Sequence, residues 1–294
     1  MLHDSSAPVL ERTDRFYSLL FAAFSILLVL LVGYFLQLTY RQTERAIEAA
    51  SLNEAHILSA RTDTILRHIE STCTHIAEHF VAEMRDRQKL SPLPQPISRA
   101  LTALTDKFPE IIQTQVFDTN GSLIYSSLPN PSMVSIADRD HFREVKERPD
   151  ASIRFTQVLS LRNSGKSSVL AYRAIIGADG KFLGLVASAI DLAYFAKLFS
   201  ELQVGESGMV SIRRSDDSRL VVRWPVVEEE INKKADKTPP YLLISKGNSE
   251  GVIRYVGKSD GVDRVFAFFK VPEFPFYVLV GRGVEEQFAP WRKA

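Results

Sequence analysis

The sequence has little cysteine and no excess charge of either sign. Cys73 is the one cysteine in 294 residues, so neither an intrachain disulfide nor a cysteine-based zinc cluster can form. Lysine and arginine number 36 against 35 acidic residues, and the net charge of +1 lacks the basic excess of nucleic-acid-binding proteins. With 45% apolar and 24% charged residues, the composition is that of a globular protein and excludes a disordered one. The length indicates about two domains.

One segment, residues 16–38, contains no charged side chain at all. Its roughly 23 residues reach about 34 Å as a helix, enough to cross a hydrocarbon core of about 30 Å. Tyr17 and Tyr34 lie near its ends, where aromatic rings favour the membrane interface. A cleaved signal peptide is the alternative, but it requires a shorter apolar region and a small-residue cleavage site. We therefore predict a transmembrane helix, with the short N-terminus in the cytoplasm and the bulk of the chain outside.

Proline and glycine are both absent from Thr39 to Arg87, which predicts a long helix. Apolar residues recur along it at steps of seven and four and form a seam: Leu58, Ile65, Ile69, Ile76 and Phe80. We expect this seam to pack on the chain's own downstream domain and on the same helix of a second subunit, with the membrane-proximal half at a dimer interface. The three prolines of Ser91–Pro96 end the helix, and a shorter helix is predicted over 97–107.

The chain after Pro109 is predicted to contain two modules with the same order of secondary-structure elements. In both, hairpin turns such as Asn120-Gly121, Asp179-Gly180 and Asp260-Gly261 separate β-strands. The first module has strands predicted within 115–127 and over 153–159, 168–176 and 182–190, with helices over 138–147 and 192–202. The second module has strands predicted over 209–214, 219–224, 251–257, 263–271 and 276–281, followed by a short helix. The predicted fold class is α+β, with two antiparallel sheets that each have a covered face.

Two stretches of the first module carry a family resemblance: DRDHFREV (Asp138 to Val145) and VLAYRAIIGADGKFLGLVASAIDLAYF (Val169 to Phe195). Together with one membrane span, a long helix and two α/β modules, they resemble the double Cache sensors of bacterial receptors, whose modules are PAS-like. The resemblance implies a sensor in the bacterial inner membrane with its bulk in the periplasm, a homodimer through the stalk helix and a small-molecule ligand. It implies no cofactor and no catalytic activity in this chain.

The domain organisation that follows has six segments: a cytoplasmic N-terminus (1–15), a transmembrane helix (16–38), a stalk helix with a proline-rich break and a second helix (39–108), a membrane-distal, ligand-binding Cache module (109–203), a membrane-proximal Cache module (204–284), and the start of a lead-in to a second transmembrane helix (285–294). We expect that second helix and a signalling output beyond this chain. A diguanylate cyclase is the first expectation, and a histidine kinase or a chemotaxis receptor is the alternative. A scaffolding protein with an empty Cache core is a further alternative.

The resemblance also implies ligand-binding residues in the first module: Arg139, His141, Phe142 and Asp191. Tyr172 and Arg173, on the adjacent predicted strand, are further candidates. Arg139 suits a carboxylate and Asp191 an ammonium group, whereas His141 stands where amino-acid sensors have tryptophan. Because side chains alternate along a strand, one of Tyr172 and Arg173 must face the pocket. Two arginines against one aspartate favour a carboxylate-bearing ligand. The alternative roles are bracing of a helix start for Arg139, helix capping for Asp191 and a solvated strand position for Arg173.

The stretch HIAEH (His75 to His79) fits the H-x-x-E-H pattern of some metalloproteases, with Glu78 as the base. A membrane metalloprotease is therefore an alternative hypothesis. The pattern is short, however, and no third ligand is clearly placed, so we interpret His75 and His79 as solvated helix residues. Metal binding or pH sensing by His68, His75 and His79 stays open.

The stretch SLRNSGKS (Ser160 to Ser167) differs from a P-loop by one residue, since serine replaces its first glycine. A P-loop leads into a helix, but the residues that follow are predicted as a strand. The stretch is therefore predicted to be a polar hairpin loop.

Overall fold

The computed structural model describes residues 7–86, 101–102, 105, 107–129, 131, 134–162 and 164–289. The proline-rich segment Ser91–Pro96 and most of the helix predicted over 97–107 lie outside the described residues. Two antiparallel sheets follow one another along a single long helix.

This helix, α1, spans Ala7–Asp86, a length of 80 residues. The apolar side chains of its first part are exposed, as with Leu19 at 71% and Phe21 at 72%. It is the one helix in the described part of the chain that is long and apolar enough to cross a membrane. The structure therefore has the single long, apolar N-terminal helix that the sequence predicts.

The first sheet belongs to the first of the two predicted modules. Its strands are β1 (Ile111–Phe117), β2 (Leu123–Ser126), β3 (Arg154–Phe155), β4 (Leu159–Ser160), β5 (Ser167–Ile176) and β6 (Phe182–Asp191). Its helices are α2 (Asp140–Glu147) and α3 (Leu192–Ser200). The strand order is β2-β1-β6-β5-β3, and β4 also pairs with β5.

The prediction of one strand over 153–159 is wrong, because the structure has the two short strands β3 and β4 there. Between them the chain turns towards the second module. The backbone N–H of Val158 donates to the side chain of Asn232 at 3.0 Å, and the Asn232 amide donates back to the Val158 carbonyl at 2.8 Å. A residue distant in sequence therefore interrupts the strand.

The second sheet belongs to the second predicted module. Its strands are β7 (Met209–Arg214), β8 (Leu220–Trp224), β9 (Glu250–Val256), β10 (Asp263–Lys270) and β11 (Phe276–Gly283). Its helices are α4 (Pro239–Ser245) and, at its end, α5 (Val284–Gln287). The strand order β8-β7-β11-β10-β9 matches that of the first sheet once β4 is set aside. The predicted repeat and the predicted α+β fold are confirmed.

The helix α1 covers one face of both sheets. All five seam residues, from Leu58 to Phe80, are buried in the main core, which confirms the packing expected within the chain. The second sheet lies nearer the apolar segment, where Ile47 packs with Val265 and Phe288. The first sheet lies further along, where Cys73 Sγ is 3.4 Å from Ser188 Oγ.

The opposite face of each sheet carries a short helix. In the first module, Phe142 and Val145 of α2 are buried against the sheet. In the second module, Ile244 of α4 does the same. This outer face, which α1 does not cover, holds a cavity in each module.

Candidate functional site

The cavity of the first module lies between the outer face of its sheet and the segments that follow β2 and precede β5. Its volume is about 60 Å³. The sheet contributes alternate residues, which point to one side as strand geometry requires: Gln113, Gln115 and Phe117 of β1, Leu170 of β5, and Ala187 and Ala189 of β6. The other wall is formed by Val134, Ile136, Arg139, His141 and residues 159–162.

Arg139 lies at the start of α2 and lines this cavity. It occupies the N-cap position, but its side chain makes no capping hydrogen bond. Within the described residues it also has no ion-pair partner. Its guanidinium is therefore available to a ligand, and an arginine fork pairs with a carboxylate through two parallel hydrogen bonds.

His141, the second residue of α2, lines the same cavity. Its Nε2 atom is buried without a hydrogen-bond partner, and its ring centroid is 5.3 Å from that of Tyr172. Burial, aided by the positive charge of Arg139, lowers the pKa of His141 to about 4. The imidazole is therefore neutral near pH 7 and can donate a hydrogen bond to a bound molecule or accept one from it.

Three polar residues of the cavity were not singled out from the sequence. The amides of Gln113 and Gln115 bond to each other at 3.1 Å, and they stand on alternate positions of β1. Arg162 bonds to the Ser135 carbonyl at 2.9 Å and pairs with Asp138, whose pKa it lowers through that hydrogen bond. Two glutamines spaced by two were the available signal for this polar floor, but the strand predicted from Gln115 onward did not include Gln113, which the longer β1 does.

Phe142 and Tyr172 lie beside the cavity, in the core beneath α2. The ring of Phe142 is 5.9 Å from that of Phe182, and both candidates belong to one buried cluster. Tyr172 is the member of the Tyr172–Arg173 pair that faces the cavity side of the sheet, through its contact with His141. These two residues belong to the buried core that lies behind the cavity wall.

Arg173 and Asp191 are not brought to the cavity. Arg173 points through the opposite face of the sheet and bonds to Thr74 of α1. Asp191 ends β6 and caps α3, accepting a hydrogen bond from the N–H of Ala193 at 2.9 Å. It is also 3.9 Å from Lys166 Nζ and lines a separate cavity of about 340 Å³ between the modules. The capping role weighed for Asp191 is the one that the structure shows.

The other motifs take ordinary structural roles. His75 and His79 are exposed on α1, and His68 packs on Phe108 with ring centroids 3.8 Å apart. Over the described ranges, no group of three or more histidine, cysteine, aspartate or glutamate side chains could hold a metal ion. The P-loop-like stretch is the hairpin loop between β4 and β5, where the N–H of Leu161 donates to the Lys166 carbonyl.

Comparison with known proteins identifies relatives of this architecture. A family model described as a Cache domain matches residues 38–291. The extracellular domain of a protein assigned as a histidine kinase, rpHK1S-Z16, has a TM-score of 0.71 at 23% identity and covers 86% of this chain and 100% of its own. The periplasmic sensory domain of the Campylobacter jejuni chemoreceptor Tlp1 has a TM-score of 0.70 at 15% identity, over 84% and 99% of the two chains.

A third structure was solved with a ligand. The ligand-binding domain of the Pseudomonas fluorescens chemoreceptor CtaA, in complex with L-isoleucine, has a TM-score of 0.61 at 14% identity, over 86% of this chain and 98% of its own. No curated protein matches the sequence at a significant level. At these identities the solved structures establish the double-module fold.

Proposed function

Because this chain belongs to the Cache domain family, we propose that it is a membrane-anchored extracytoplasmic sensor that binds a small carboxylate in its first module. The family match covers both modules and the stalk part of α1. The exposed apolar start of α1 supports the membrane anchor. The cavity beside α2 supplies the ligand site.

The position of Arg139 in the cavity lining is the main support for a carboxylate ligand. Arg139 presents a cation to the cavity, and the described lining contains no aspartate or glutamate. An α-amino acid would bring an ammonium group that needs an acceptor of its own, and Asp191 is bound elsewhere. We therefore propose a monocarboxylate without an amino group, unlike the L-isoleucine of CtaA. A cavity of about 60 Å³ suits acids of a few carbon atoms.

The proposed topology follows the order of contacts along α1. The cytoplasmic N-terminus (1–15) and transmembrane helix (16–38) anchor the chain in the bacterial inner membrane, and the modules lie in the periplasm. The second module is membrane-proximal, because its sheet contacts α1 next to the apolar segment. The first module is membrane-distal. A homodimer would form through the face of α1 that neither sheet covers.

The proposed signal is a shift of α1 relative to the first sheet. A ligand that contacts α2 and the outer face of the sheet changes the free energy of one arrangement of sheet and helix over another. The helix carries that change to the membrane. The output is a diguanylate cyclase, a histidine kinase or a chemotaxis transducer, and the solved neighbours above come from the latter two kinds of receptor.

Calorimetry on the full chain in detergent tests the ligand. Propionate should bind and propionamide, which has the same shape without the charge, should not. Arg139→Ala should weaken propionate binding at least about tenfold, since charged hydrogen bonds contribute about 1.5–3 kcal/mol. Arg148→Ala, at an exposed arginine at the other end of α2, is the control. Equal binding of the amide, or full binding by the Arg139 variant, contradicts the proposal.

A further inference from the structure

The second module has its own cavity, on the outer face of its sheet. The volume is about 180 Å³, three times that of the first cavity. Because the two sheets share one strand order, the two cavities occupy corresponding faces. Met209, Phe266 and Leu279 form an apolar part of the lining, and Phe266 stacks on Tyr255 with centroids 4.4 Å apart.

The lining of this second cavity is strongly cationic. Six basic side chains line it against two acidic ones, Glu230 and Asp236. Three of the six are lysines that stand exposed at the rim: Lys234, Lys237 and Lys258. The other three are arginines on the strands, and two of them are deeply buried, Arg223 at 5% and Arg264 at 4% exposure.

The two buried arginines differ in their partners. Arg264 is satisfied, because it forms two hydrogen bonds with Asp260, at 2.9 and 2.8 Å, and one with the Ser207 carbonyl at 2.6 Å. Arg223 has a buried Nε atom without a hydrogen-bond partner, and no ion pair with any described residue. A buried cation without a counter-charge is costly. Burial accordingly lowers the pKa of Arg223.

Two more unpartnered polar atoms lie on the same face. Ser211 Oγ and Tyr277 Oη are both buried without a hydrogen-bond partner. Ser211 pairs with Arg223 in the register of β7 and β8, and Tyr277 pairs with Arg213 across β11 and β7. Buried polar groups are normally satisfied. Arg223 lines the cavity, and Ser211 and Tyr277 lie behind that lining on the same face of the sheet, so the unpartnered Arg223 Nε favours an anion bound beside it.

We propose that this cavity of the second module is a further ligand site, and that it binds a small dicarboxylate. One carboxylate would pair with the fork of Arg223 at the base, and the other would lie towards the rim lysines. Even with Asp260 counted, the local basic groups exceed the acidic ones by three, so a dianion compensates them better than a monoanion. The apolar residues would contact the carbon chain. This site goes beyond the function proposed above.

Calorimetry on the full chain in detergent again provides the test, with succinate as the probe. Succinate should bind, while neutral succinamide should not and propionate should bind this site at least about tenfold more weakly. Arg223→Met should weaken succinate binding at least about tenfold. Arg254→Met, which removes an exposed arginine of β9 paired with Asp263, is the matched control and should leave the affinity for succinate unchanged. Arg139→Ala should also leave this affinity unchanged, which distinguishes the site from the first cavity.

The melting temperature of the ligand-free protein gives a second readout. Arg223→Met should melt at the same temperature as the wild type or higher, because it removes a buried charge that forms no ion pair with any described residue. Arg223→Lys keeps a cation but loses the fork, and should also weaken succinate binding. Failure of succinate to bind, binding that survives both Arg223 variants, or binding lost in Arg139→Ala would overturn the proposal. Phosphate binding as tight as succinate and dependent on Arg223 would overturn the dicarboxylate assignment.

Discussion

Arg173 of β5 donates a hydrogen bond to Thr74 of α1 across the inner face of the first sheet. The preceding residue on the strand, Tyr172, lies on the outer face against His141. Adjacent residues of one strand therefore contact the cavity-lining residue His141 on one side and the stalk helix on the other. This strand therefore links the surroundings of the proposed ligand to α1.

The hydroxyl of Thr74 should stabilise the fold through Arg173. In Thr74→Val the half-buried guanidinium loses an acceptor, which should lower the free energy of unfolding by about 1–3 kcal/mol. Thr64→Val is a matched control, because both hydroxyls bond to the carbonyl four residues earlier but only Thr74 also meets Arg173. Urea unfolding followed by circular dichroism compares the two variants. Equal stability would show that the bond to Arg173 contributes nothing.

His141 should make the stability depend on pH. Its pKa is about 4 in the folded protein and about 6.5 in an unfolded chain, so between these values only the unfolded chain binds the proton. The free energy of unfolding should therefore fall as the pH drops from about 6.5 to about 4, by up to about 3 kcal/mol. Above pH 6.5 this contribution is fully present.

Melting curves of His141→Gln across pH 4–7.5 check this contribution. The variant should lose part of the acid sensitivity of the wild type, whereas His75→Gln, at an exposed histidine of α1, should keep all of it. Identical pH profiles for the His141 variant and the wild type would contradict the buried, neutral state of this imidazole.

The proposed dimer interface should involve the uncovered face of α1. Beyond the apolar segment, Ile57 is the one large apolar residue exposed on the described part of this helix, at 56%. With Cys73→Ala as background, Ile57→Cys should form a disulfide-linked dimer in oxidised membranes. Thr62→Cys, at a buried position on the covered side, should not. A monomeric Ile57 variant on a non-reducing gel would argue against this interface.

Local sequence signals predicted most of the fold. The absence of proline and glycine after Thr39 marks the continuous helix, and the turns at Asn120-Gly121 and Asp260-Gly261 mark hairpins that the structure contains. The two modules and their shared order of elements along the chain follow from these signals, whereas the order of the strands within each sheet was not predicted. The exception, the broken strand before β5, depends on Asn232, which is more than seventy residues away in sequence.

The site was less predictable because its geometry depends on which face each residue takes. Arg139 and His141 were found from the family pattern, and both line the cavity. Asp191 fits the same pattern, but its carboxylate caps α3 and does not line the cavity. Arg223 was not singled out, since an arginine in a strand is typical of a solvated position, and its burial depends on the chain between β8 and α4 that covers it.

A crystal structure of the chain grown with saturating propionate would show directly whether Arg139 binds the carboxylate. Density for a carboxylate is expected in the cavity of the first module, with its oxygen atoms about 2.7–2.9 Å from the guanidinium nitrogens of Arg139. Propionate bound away from Arg139, for example beside Asp191, or a first cavity without propionate at a concentration that saturates binding in solution, would contradict this expectation.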